Sequence, residues 1–135
     1  MRLINTKAHA ALDYLLGIVL LFCPTLFDTG TGAAGFTCIA FAIFISALAL
    51  FTKFEWSWLK IVPLRLHLWL DMIAGILLAS SPWLFGFNER VIKPHLVFGL
   101  SLTVTAALTD RVLYVDYKRS IGIGNENKDR EKTNR

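Results

Sequence analysis

The chain has 135 residues, a formal net charge of +4 and a mean hydropathy of +0.54; 55% of it is hydrophobic and 18% charged, against about 25% charged in an ordinary soluble domain. That balance excludes a disordered chain, a disulfide-framework toxin and most small soluble enzymes. Ten of the 24 charged side chains fall in the polar stretch 116–135, and what precedes it is largely apolar.

Four apolar windows follow one another, each near the roughly 20 residues that a helix needs to cross a hydrocarbon core. The first, 8–27, carries one formal charge, Asp13; the second, 32–53, carries none before Lys53. The third, 64–84, holds Asp71 after Arg65, and the fourth, 94–114, is uncharged as far as Thr109 and then meets Asp110 and Arg111. The fold class this predicts is all-α, a four-helix transmembrane bundle. Arg2 and Lys7 ahead of the first window imitate a signal peptide, but Asp13 interrupts the apolar run and no small-x-small cleavage site follows, so the window reads as a retained helix.

Twelve Lys and Arg residues, among them Arg2, Lys7, Lys53, Lys60 and Arg65, fall on one side of these four spans, and two, Arg90 and Lys93, fall on the other. The positive side faces the cytoplasm, so the expected location is a bacterial inner membrane with both termini cytoplasmic. This sorting accounts for the basic charge, and no nucleic-acid partner is expected.

Shifting the sequence by 58 residues aligns 9–27 with 67–85 at 9 identities in 19 positions, including His9/His67, Asp13/Asp71, Gly17/Gly75 and Pro24/Pro82. Apolar composition supplies leucine matches, but not His, Asp, Gly and Pro in register. The chain therefore reads as two helix-pair repeats, 1–60 and 61–115, followed by a polar cytoplasmic tail, 116–135, expected to stay solvated. Each repeat crosses twice, so the repeats are parallel, with a pseudo-twofold axis along the membrane normal. In the second copy Ser81-Pro82-Trp83 ends the apolar run. Over roughly residues 7–111 the chain resembles the SPW-repeat family of integral membrane proteins, whose unit is a helix pair with a Ser-Pro-Trp motif ending its first helix. The first copy departs from that motif, reading Cys23-Pro24-Thr25. The resemblance implies the fold and a membrane location, and no activity.

The residues able to carry chemistry fall into two groups. His9 with Asp13, and His67 with Asp71, are spaced i and i+4, which puts each pair on one helical face. With Thr52, Thr109 and Asp110 they form a candidate polar layer near the cytoplasmic ends of the spans. Ionisable groups in a span are expensive, hence paired or functional. The second group is the helix-end motif, Cys23 and Pro24 in one copy and Ser81, Pro82 and Trp83 in the other. Proline is expected to stop or kink each helix, with Trp83, Phe85 and Phe87 as an interfacial aromatic belt. Cys23 and Cys38 lie at similar depth near the outer ends of their spans and are expected as buried free thiols, although a disulfide is permitted there. His95, near the outer end of the fourth span, is too far away to join the layer.

No nucleophile elbow, phosphate loop or zinc motif is present. The leading expectation is a structural or interaction module without catalysis. It needs no cofactor, has no metal site, and has as partners the lipid bilayer and a second copy or another membrane protein. Two alternatives use the polar layer: proton or ion coupling, and haem or metal binding for redox chemistry.

Overall fold

The computed structural model describes residues 4–53, 59 and 61–109. Asp110, the expected end of the fourth span and the polar tail lie outside the described residues. The described region is mostly helical, with five helices: α1 (Thr6–Leu21), α2 (Cys23–Leu26), α3 (Ala33–Phe51), α4 (Leu64–Leu84) and α5 (Lys93–Leu108). Asn5 caps α1, its Oδ1 accepting from the Ala8 amide at 2.8 Å, which satisfies one of the amides a helix start leaves unpaired. Among the described residues, α3 and α4 are long and apolar enough to cross a membrane.

The helices pack chiefly as α1 on α3 and α4 on α5. Gly75 brings α4 against α5, where a Cβ would collide with Thr103 Oγ1 and stand 2.6 Å from the Gly99 carbonyl oxygen. Gly17 does the same for α1 and α3, where a Cβ would meet Ser46 Oγ. Small residues allow this approach, which brings dispersion contacts within range. Two isolated parallel bridges tie the far ends together: Ile4 pairs with Thr109, and Thr52 with Val62. The start of α1 is thereby held beside the end of α5, and the start of α4 beside the end of α3.

Large apolar side chains are exposed while ionisable ones are buried beside an apolar core. Leu15, Phe36 and Phe44 are 58%, 71% and 43% exposed, while His9, His67, His95 and Asp71 are at 0%. The buried positions of α1, Thr6, His9, Ala10, Asp13 and Gly17, form one polar or small stripe at helical spacing, which continues into the apolar core at Leu20. A core of Leu20, Cys23, Cys38, Ile45, Leu78 and Leu102 fills the other half of the interior.

Two expectations need correction. The window 8–27 is not one helix, because the chain breaks at Phe22 between α1 and α2. Pro82, in contrast, lies inside α4, which keeps the expected bounds 64–84 and ends two residues after the proline. The reason lies one residue before each proline. Pro82 has no N–H for the Leu78 carbonyl, and the Ser81 hydroxyl donates to that carbonyl instead, at 2.7 Å. Pro24 follows Cys23 rather than a serine, and it sits in the opening turn of α2. Finally, Phe87 does not join Trp83 and Phe85 at the surface. Those two are exposed, whereas Phe87 is buried with its ring 4.8 Å from that of His95.

Candidate functional site

α1 and α4 each present a histidine and, one turn later, an aspartate to the interior. The four side chains meet at one point. His9 Nε2 lies 3.1 Å from Asp71 Oδ2 and 3.3 Å from Asp13 Oδ2. His67 Nε2 lies 3.0 Å from Asp13 Oδ2 and 2.8 Å from Asp71 Oδ2. Each histidine thus contacts its own aspartate and the one on the other helix, and all four residues are buried.

The outer nitrogens of the two imidazoles are held by α3 and α5. Thr52 Oγ1 lies 2.8 Å from His67 Nδ1, and Thr109 Oγ1 lies 3.0 Å from His9 Nδ1. Each threonine hydroxyl already donates to a helical carbonyl, Thr52 to Leu48 O and Thr109 to Thr105 O, both at 2.6 Å. A hydroxyl has one proton, so each Oγ1 accepts here and each Nδ1 carries the N–H. Both Nε2 atoms therefore face the carboxylates, and the ring orientation is set from outside the quartet. Asp71 Oδ1 is buried without a hydrogen-bond partner among the described residues.

His9, Asp13, His67 and Asp71 are also a set of metal-binding donors, one atom from each within 4.8 Å of the others. The same compactness is wrong for haem. The two imidazole rings are edge to face with centroids 5.5 Å apart, and both carboxylates occupy the space a macrocycle would need. On one flank a cleft between α1 and α5, with Asp13, Ser101 and Thr105 in its otherwise apolar wall, reaches the quartet.

Of the helix-end residues only Cys23 enters a second cluster, with Cys38 and His95. The Cys38 thiol donates to Cys23 Sγ at 2.8 Å, and both cysteines are free and buried. Cys38 Sγ is 3.4 Å from His95 Nε2, which is itself 3.1 Å from the Ala34 carbonyl oxygen. His95 lies outside the polar layer, as its position predicts, and the depth it shares with the two cysteines is the signal in the sequence for its place in this cluster. Ala34 and Thr52 mark opposite ends of α3, so the two clusters are about 27 Å apart along that helix. Ser81 serves the backbone of α4, Pro82 is buried, Trp83 projects outward, and Pro24 opens α2.

The chain matches the SPW repeat domain family over residues 7–109. No curated protein and no solved structure matches it. With most of its length inside the match, the chain belongs to the SPW-repeat family.

Proposed function

We propose that this SPW-repeat protein is a multi-pass membrane protein of four spans, in which two parallel helix-pair repeats are locked together by the His9, Asp13, His67 and Asp71 quartet. It acts as a structural or interaction module without catalysis, with both ends on the cytoplasmic side of a bacterial inner membrane. The observation that carries this reading is reciprocity: His9 on α1 contacts Asp71 on α4, and His67 on α4 contacts Asp13 on α1. The threonine partners and the two bridges are reciprocal in the same sense. The exposed apolar side chains support a lipid environment, since a water-facing surface of this kind invites aggregation.

A double-mutant cycle on thermal stability tests the lock. Asp71→Leu and His9→Leu should each destabilise by about 1–3 kcal/mol, because each strands a buried polar partner. The double variant should lose clearly less than the sum, as contacting residues do. Asp71→Asn should be milder than Asp71→Leu, since an amide keeps hydrogen-bonding capacity. Strictly additive losses defeat the lock.

The cleft that reaches Asp13 favours a second reading, in which the same quartet exchanges protons or ions with the flank of the bundle. In that case Asp71→Asn keeps the fold but abolishes proton or cation flux in reconstituted vesicles.

A further inference from the structure

We propose that His9, Asp13, His67 and Asp71 bind one divalent transition-metal ion of the zinc class. The proposal deepens the reading of the quartet as the junction of the two repeats and rests on it. Four contacts close a ring of alternating nitrogen and oxygen, at 3.3, 3.0, 2.8 and 3.1 Å. Because Thr52 and Thr109 hold the protons on the Nδ1 atoms, each Nε2 brings to this ring either a lone pair or one added proton. Two added protons would make linear hydrogen bonds along only two of the four edges. One cation at the centre engages all four donors at once. A tetrahedral ion about 2.0 Å from each donor sets all six donor separations near 3.3 Å; the four ring contacts are at or just below that length, and all four donors lie within 4.8 Å of one another.

Charge leads to the same ion. Two carboxylates and two neutral imidazoles sum to −2, which a divalent cation cancels, and an uncancelled charge at a fully buried site is costly. The imidazole donors select against Mg2+ and Ca2+, which prefer oxygen shells, and favour zinc-like ions. The outer shell is in place as well, because each candidate ligand histidine is oriented through its other nitrogen by a threonine that is itself anchored to a helix. Asp71 Oδ1, buried without a hydrogen-bond partner among the described residues, supplies a spare donor on the same carboxylate.

The test uses the full chain purified in detergent. Elemental analysis after dialysis is expected to return one zinc per chain. Stripping with a strong chelator should lower the unfolding temperature, and Zn2+ should restore it. Reloading with Co2+ should give the intense visible absorption of a tetrahedral ion. Combining Asp13→Asn with Asp71→Asn should abolish stoichiometric binding, whereas Cys38→Ser, at the far end of α3, should retain it. Thr52→Val and Thr109→Val change positioning residues, and each should weaken Zn2+ binding about 10–100-fold without changing the stoichiometry. A wild-type chain that takes up neither Zn2+ nor Co2+ stoichiometrically overturns the proposal, even where the variants fail to fold. So does a folded double variant that still binds one equivalent. The stability cycle on Asp71 and His9 is read separately. Coupling without metal leaves a lock made of hydrogen bonds and removes the ion; metal without coupling keeps the ion and removes the lock.

Discussion

At the residue scale, the serine of the Ser-Pro-Trp motif has a physical task. Pro82 deprives the Leu78 carbonyl of its helical partner, and Ser81 Oγ replaces it at 2.7 Å. Ser81→Ala should therefore cost about 1 kcal/mol, the usual net worth of such a bond. Adding Pro82→Ala should recover some of that loss, because the new amide can reach the same carbonyl. Thermal unfolding of the single and double variants checks this, and a double variant less stable than Ser81→Ala would contradict it. The turn that follows carries a related asymmetry. Gly86 leaves α4 at φ +68, and the Phe87 amide closes the helix end on the Pro82 carbonyl at 2.9 Å, as a Schellman turn does. At the matching place after α2, Asp28 adopts φ +50, a conformation that costs a side-chain-bearing residue about 1 kcal/mol. Asp28→Gly is expected to raise stability by about that amount in the same unfolding assay.

At the element scale, the two helix contacts differ in how much they can yield. The atoms around a Cβ on Gly75 include backbone, the Gly99 carbonyl at 2.6 Å and the Thr103 amide at 2.8 Å. Overpacking there must push α4 and α5 apart, so Gly75→Ala should destabilise by about 1–3 kcal/mol. A Cβ on Gly17 collides with the Ser46 hydroxyl alone, its next neighbours being Ser46 Cβ at 3.5 Å and the Ala42 carbonyl at 3.6 Å. A hydroxyl can rotate or be removed. Gly17→Ala should be the milder change, and Ser46→Ala should relieve most of it. Equal losses at the two glycines would show that the α1 and α3 contact is as rigid as the α4 and α5 contact. Of the small residues in α3 and α5, Ala42, Ala49 and Ala106 are buried in contacts, whereas Ala40 and Ala107 face outward.

At the scale of the whole molecule, the proposed topology makes a prediction about access. Glu89 lies exposed between α4 and α5, in a segment that the charge count assigns to the outer face. In a Cys23→Ser, Cys38→Ser background, Glu89→Cys should react with a membrane-impermeant maleimide in intact cells. Reaction only after permeabilisation would invert the orientation. Replacing the buried cysteines with serine is itself informative, because Cys23 precedes Pro24 as Ser81 precedes Pro82. Cys23→Ser supplies a hydroxyl ahead of Pro24 and should be well tolerated.

Composition and spacing alone determined that the chain is helical and apolar, and that His9, Asp13, His67 and Asp71 share inward faces. Those properties are local: a 3.6-residue period assigns a face, and the same i, i+4 spacing joins His9 to Asp13 and His67 to Asp71. The same spacing placed Thr52 and Thr109 in the layer, but not how each holds a histidine through Nδ1, since that depends on where α3 and α5 end against α4 and α1. Tertiary structure also decided that α1 stops at Leu21 while α4 runs through its proline, that Phe87 turns inward, and that His95 joins the two cysteines. Each of these outcomes depends on contacts between segments distant in the chain or on a single hydroxyl reaching a carbonyl, and hydrophobic periodicity carries neither. The closeness of the four donors, within 4.8 Å, belongs to the same class: residue types predict a layer, but only the approach of α1 to α4 makes it a site.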